Sequence, residues 1–243
     1  MIYSSKQNKL IKSVYSLKDK KGRKEQGLYV VEGFKMVNEA ISAGANITRI
    51  FATEEALKNI DSKNYEVVLV TEEVFSYISG EVTPQGVLAT VKIPENPISE
   101  PSGNALILDG VQDPGNIGTI IRTACAFGYK DIYLLNTVDP YSPKAVRASM
   151  SGIYFVNLYK TNYETLFNVL KNVKIIALDM GGEDIANVKV SGKFALCVGN
   201  EANGLSSEIL RGKDLCVSIP MSKNSESLNA AVALSIAMYK LSN

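Results

Sequence analysis

Five short runs in the second half of the chain, at 105–108, 131–135, 174–178, 195–198 and 215–219, are apolar almost without interruption. A strand with one wet face alternates apolar and polar side chains, whereas a run without alternation has both faces covered. Such strands belong to mostly parallel sheets with helices on either side. Helical spacing falls between them at 117–127, 163–171 and 227–241. The pattern predicts an α/β fold.

The first half alternates in the same way. Strands are expected at 28–31, 47–52, 66–70 and 87–91, with helices at 34–43, closed by Gly44, and at 71–78, where Thr71 precedes Glu72 and Glu73. Between the halves, IPENPISEPSGN holds three prolines and a glycine and has no apolar period, the composition of a linker. The expected organisation is a domain over 1–93, a linker over 94–104 and a second domain over 105–243.

Charge is unevenly spread. Residues 1–24 carry eight basic side chains and one acid, a balance of +7 in a chain whose net charge is +1. A cluster that includes Lys18, Lys20, Lys21 and Arg23 suits phosphates, but a solvated lysine-rich helix has the same composition. Histidine is absent and the three cysteines, Cys125, Cys197 and Cys216, are far apart in apolar stretches. That excludes Ser-His and Cys-His hydrolases and most zinc enzymes, so no metal is expected and the thiols read as reduced and buried. No apolar run has the roughly 18–20 residues of a membrane helix. Without a signal-peptide pattern at residues 1–17, a cytoplasmic location is expected.

Three segments end strands in polar turns. In 106–128 a strand ends at Asp109, and Asp113-Pro114-Gly115-Asn116 has the Pro-Gly centre of a type II turn. The helix after it carries Arg122 off its apolar stripe. An ordinary turn with a solvated arginine and a site for a polar ligand both fit. In 195–210 a strand runs into Gly199-Asn200-Glu201, with Gly204 beyond; glycines there let a backbone approach a flat ligand. Neither GxGxxG nor a phosphate loop is present, which disfavours a nucleotide-dependent oxidoreductase. In 215–241 a strand ends at Pro220, and Ser225 or Ser227 is placed to cap an almost wholly apolar helix. Ser227 and Asn229 are the polar exceptions at its mouth.

Together, DPGNIGTIIRTA, GNEANGL and IPM…ESLNAAVA, in this order and spacing, resemble the SpoU/TrmH family of RNA 2′-O-ribose methyltransferases of the SPOUT superfamily. The stretch from Ser4 to Ala40 is similar to the substrate-binding domain of rRNA-directed members, itself similar to small ribosomal RNA-binding proteins. The resemblance implies a trefoil-knotted catalytic domain, a homodimer, RNA as substrate and S-adenosylmethionine as cofactor, held near Leu178, Gly199, Ile219, Met221 and Leu228. It implies Arg122 beside the ribose 2′-oxygen, oriented with the ribose by Asn116, Glu201, Ser227 and Asn229. Lys18, Lys20, Lys21 and Arg23 become RNA contacts. Ribosomal RNA is the expected substrate. Transfer RNA, and a non-catalytic RNA-binding or ribosome-assembly role, are the alternatives. Two departures from the family pattern bear on loop shape: Ala202 stands where glycine is usual, and Ser222-Lys223-Asn224-Ser225 follows Ile-Pro-Met without a glycine.

Overall fold

The computed structural model describes residues 2–222, 224 and 227–242. They form two compact units, Met1–Pro94 with Asp139–Tyr154, and Glu95–Val138 with Phe155–Asn243.

In the first unit β1 (Ile2–Tyr3), α1 (Lys9–Ser16), α2 (Lys20–Gln26), β2 (Leu28–Glu32) and α3 (Phe34–Ser42) come first. They are followed by β3 (Ile47–Ala52), α4 (Glu54–Leu57), β4 (Val67–Val70), α5 (Glu72–Ile78) and β5 (Val87–Lys92). The sheet runs β1-β4-β3-β5-β2, with β5 antiparallel to both of its neighbours. Thr71 caps α5 as its position predicts, accepting from the Val74 amide at 3.3 Å. The lysine-rich segment is helical, but its four candidate RNA contacts are not alike. Lys20 and Lys21 are exposed. Lys18 donates to the Tyr77 carbonyl at 2.8 Å and lies 4.7 Å over the Tyr15 ring. Burial lowers its ammonium from the ordinary range, against the pull of Glu32. Arg23 turns inward and is 4% exposed.

The second unit opens with β6 (Ala105–Asp109), α6 (Pro114–Phe127) and β7 (Asp131–Leu135). The chain then returns to the first unit as α7 (Pro143–Ser149) and a 3-10 turn (Met150–Tyr154). That return is locked by Arg23, whose guanidinium meets Asp139 at 2.7–2.8 Å and also donates to the carbonyls of Leu17 and Lys18. Tyr29 and Tyr141 rings lie 5.0 Å apart, and Tyr154 donates to the Met36 carbonyl. The chain re-enters the second unit as β8 (Asn157–Lys160), α8 (Tyr163–Val169), β9 (Lys174–Asp184), β10 (Phe194–Val198), α9 (Ser207–Gly212), β11 (Leu215–Ser218) and α10 (Ala230–Ser242).

The larger sheet runs β11-β9-β10-β6-β7-β8 and every pair in it is parallel. All residues of β6, β7 and β10 are buried, which is why their sequences do not alternate. β8, with its sequence NLYK, lacks a long apolar run and gives no such signal. The proline-rich stretch before β6 is irregular but bound to this unit. Ile98 packs on its core, and the Ser99 carbonyl accepts from the Tyr133 hydroxyl at 2.6 Å. Ser102 donates through both its amide and its hydroxyl to the buried Asp131.

Two local expectations are corrected. Pro114-Gly115 is no type II turn: it opens α6, with Asp113 accepting from the Asn116 amide at 2.9 Å and proline in the first turn, where a missing N–H costs nothing. Helix α10 begins at Ala230 rather than 227, and its cap is Asn229, whose Oδ1 accepts from the Ala231 and Val232 amides at 3.0 and 3.2 Å. Ser227 precedes that cap, and Ser225 lies outside the described residues.

Breaking one side of a buried ion pair strands the other charge, at a cost of about 3–5 kcal/mol. Arg23→Ala is therefore expected to lower stability by about 3 kcal/mol in urea unfolding. Lys20→Ala and Lys21→Ala, both at exposed positions, are expected to stay within about 0.5 kcal/mol.

Candidate active site

β9 and β11 pair in register only at their ends. Cys216 faces Ala177, but the next residue, Val217, faces Glu183. Residues 178–182 therefore leave the ladder. Gly182 makes the departure possible, since a Cβ there would lie 2.4 Å from the Val217 carbonyl carbon. A second close passage follows β10: Asn200 and Gly204 pair across a tight loop, and a Cβ on Gly199 would lie 2.2 Å from the Gly204 carbonyl carbon. Gly199 is thus required by chain-on-chain contact, beside any approach of a ligand.

The displaced residues and this loop enclose a cleft of about 490 Å³. Leu178, Gly199, Ile219, Met221 and Leu228 all line it, as do Glu201, Ser227 and Asn229. Sequence reasoning missed Asp179, Met180 and Ala233, which also line it. Asp179 directly follows an apolar run, the one signal available. No lysine or arginine lines the cleft among the described residues, while Asp179 and Glu201 do. An apolar slot edged by carboxylates suits a flat ligand that carries positive charge.

At its mouth the polar side chains form a chain of fixed direction. Asn229 uses its Oδ1 on α10 amides, so its Nδ2 faces out and donates to Asn116 Oδ1 at 2.9 Å. Asn116 Nδ2 then donates to Glu201 Oε1 at 2.8 Å. Glu201 also accepts from the backbone amides of Gln112 and Asp113 at 3.2 and 3.4 Å. Partial burial pushes the Glu201 carboxyl up, but Asn116 and these amides outweigh it and hold the group below the usual carboxylate range. Arg122 stands apart from the other four. It is exposed on α6, lines no part of the cleft and bonds to no described residue.

The SpoU rRNA Methylase family matches residues 103–239, and the MRM3-like substrate binding domain matches residues 8–89. The chain belongs to the SpoU rRNA methylase family. Over 242 residues, 98% of this chain and 97% of the relative, it is 31% identical to the 23S rRNA (guanosine(2553)-2′-O)-methyltransferase RlmP of Bacillus subtilis (strain 168). An rRNA methyltransferase from Sinorhizobium meliloti, solved with AdoMet bound, superposes with a TM-score of 0.89 at 30% identity, covering 99% of this chain and 96% of that one. A TrmH-family protein from Porphyromonas gingivalis gives 0.88 at 31%, covering 99% and 98%.

Outside the cleft, Cys197 is free and buried, and burial together with nearby Asp109 pushes its thiol well up; Cys125 and Cys216 are free and half-buried. Among the described residues no three His, Cys, Asp or Glu side chains cluster as a metal site, and no helix is long and apolar enough to cross a membrane.

Because its folded carboxyl is depressed, Glu201 contributes stability that is complete above the unfolded value, about 4.3, and lost as pH falls through the folded value. A carbon-13 titration of the Glu201 carboxyl is expected to show a midpoint below that value, and Asn116→Ala to move the midpoint upward. An unmoved midpoint would show that Asn116 does not hold the carboxylate.

Proposed function

We propose that this protein transfers a methyl group from S-adenosylmethionine to a ribose 2′-hydroxyl of ribosomal RNA. The observation that carries the reading is the one-way hydrogen-bond chain ending on Glu201, at the mouth of an apolar cleft that no cation lines among the described residues. The cleft fits the cofactor: Leu178, Ile219 and Leu228 give it apolar walls, and the carboxylates of Asp179 and Glu201 suit a ligand that carries a sulfonium and an ammonium. Leu178, Gly199, Ile219, Met221 and Leu228, which line the cleft, would hold the cofactor. When bound, it supplies an electrophilic methyl group.

The chain's own groups position the acceptor. A 2′-hydroxyl must lie in line with that methyl group and lose its proton as the bond forms. Asn116, Glu201, Ser227 and Asn229 fix the ribose, and the guanidinium of Arg122, always charged, stabilises the developing alkoxide. The proton passes to phosphate or water. Arg122 is exposed on α6, which packs against α10. On α10, Val232, Ile236 and Tyr239 are exposed at helical spacing, and the Tyr239 ring lies 6.0 Å from that of Phe127. This apolar face supports a homodimer, and a second copy brings Arg122 to a site that its own chain leaves without it.

The domain assignment belongs to the same proposal: 1–93 recognises RNA, 94–104 connects, and 105–243 is the methyltransferase with a trefoil knot at its C-terminal end, its segment Asp139–Tyr154 being packed into the first unit. The knot is supported by β11 lying outside β9 while α10 returns against α6 and β10. Lys20 and Lys21, exposed on α2, are its phosphate contacts.

Calorimetry with S-adenosylmethionine and transfer of tritiated methyl to ribosomal RNA test the reading; absence of both sinks it. Arg122→Ala is expected to lower transfer by about 100-fold or more with cofactor affinity unchanged. Joint neutralisation of Lys20 and Lys21 is expected to reduce the salt slope of RNA binding by about 1–2.

A further inference from the structure

The larger sheet carries a second cleft, of about 260 Å³, over the ends of β6 and β10. These adjacent strands send their following helices in opposite directions: α6 leads from β6 to β7, and α9 leads from β10 to β11 at the far edge. Open parallel sheets bind ligands outside the carboxyl ends of strands at such a switch. The methyl-transfer chemistry described above does not use this cleft.

Its chemistry is legible from its hydrogen bonds. Asp109, 3% exposed, lies at the base and accepts from the Tyr163 hydroxyl at 2.8 Å and the Ser206 amide at 2.7 Å. Tyr163 therefore spends its proton inward, on Asp109. Gln112 donates its Nε2 to the carbonyls of Gly110 and Asn136, at 3.2 and 2.6 Å, so its Oε1 remains to accept. Asn136, held at φ +50°, donates weakly to Tyr163 at 3.5 Å and keeps its own Oδ1. The side-chain amide of Asn203 bonds to no described residue. The rim thus offers several acceptors and, at Asn203, a donor as well.

Among the described residues no lysine or arginine lines this cleft, and the one charged group is the Asp109 carboxylate. A phosphate is the wrong ligand for it. A nucleobase is neutral and planar and presents donors and acceptors along one edge, the pattern that amide side chains read. Gln112 joins the two clefts: its backbone amide donates to Glu201 Oε2 at 3.2 Å while its side chain faces the second.

We infer that this second cleft holds the base of the nucleotide whose ribose meets Asn116 and Glu201, with Gln112 and Asn203 determining which base is accepted. The inference rests on the methyltransferase reading. It is tested with the double variant Gln112→Ala/Asn203→Ala in the full chain. S-adenosylmethionine affinity, which reads the fold and the first cleft, is expected to change less than about twofold. On ribosomal RNA, kcat/KM is expected to fall about tenfold or more, mostly through KM. Relative rates on transcripts that differ only at the target base are expected to converge. Intact cofactor binding with unchanged kcat/KM and unchanged base preference overturns the inference. If the double variant loses the cofactor, the isosteric Asn203→Asp decides: an altered base preference supports the proposal and an unaltered one overturns it. Wild-type protein that binds cofactor but methylates no RNA would overturn the methyltransferase reading itself, and this inference with it.

Discussion

Six parallel strands with covered faces leave polar chemistry one place to go, the edge where their carboxyl ends emerge. Parallel pairing puts all six ends there together, so residues distant in sequence meet without further design. Asn116, Glu201 and Asn229 are brought into one hydrogen-bonded row by loops that share this edge. The edge is made hollow by two backbone passages too tight for any side chain, Gly182 against Val217 and Gly199 against Gly204. Removing residues 178–182 from the ladder opens the apolar slot, and folding the chain back at Asn200 and Gly204 separates the two clefts. Asn200 fastens that divider to β6 by donating to the Gly110 carbonyl at 2.8 Å.

Direction matters as much as position in the polar row. An amide side chain can turn end for end, and a row of two has several internally consistent arrangements. Capping removes that freedom here. The α10 amides take the oxygen of Asn229, so its nitrogen must face Asn116, whose nitrogen must face Glu201. A carboxylate that receives only donors stays ionised. The N-terminus of α10 thus fixes the direction in which Asn116 donates to Glu201, and the same asparagine caps the helix and orients the row.

Much of this was legible in the sequence. The buried strands announced themselves because unbroken apolar runs have one structural use, and the three polar segments at their ends fell into one site. The five positions assigned to the cofactor by resemblance all face a single cleft. What the sequence hid were features set by partners remote in the chain. Arg23 sits in a basic run and reads as a phosphate contact, yet Asp139, more than a hundred residues away, draws it inward. Asp113-Pro114-Gly115-Asn116 has the letters of a turn, but aspartate as a cap and proline in the first turn serve a helix start equally well, and the helix behind them decides. Serine caps as well as asparagine does, yet the cap of α10 lies at Asn229, two residues beyond Ser227 and four beyond Ser225. Gln112 and Asn203 have no signature at all, since an amide in a loop is ordinary until a sheet edge gives it something to face.

The placement of charge separates two tasks that RNA recognition combines. Phosphate contacts give affinity without sequence information, and base contacts give selection. Neither cleft of the larger sheet is lined by a cation among the described residues, whereas both carry a carboxylate. The exposed lysines of α2 lie in the other unit, where Arg23 is withdrawn to bind Asp139 instead of competing for phosphate. On the proposed reading, backbone affinity and base choice rest on different residues in different units. In such an arrangement, salt acts on the first and leaves the second alone, because an amide hydrogen bond to a base releases no counterion. The acidic slot gains from the same division: a phosphate drawn toward it would meet Asp179 and Glu201, and that repulsion favours a ligand of opposite charge.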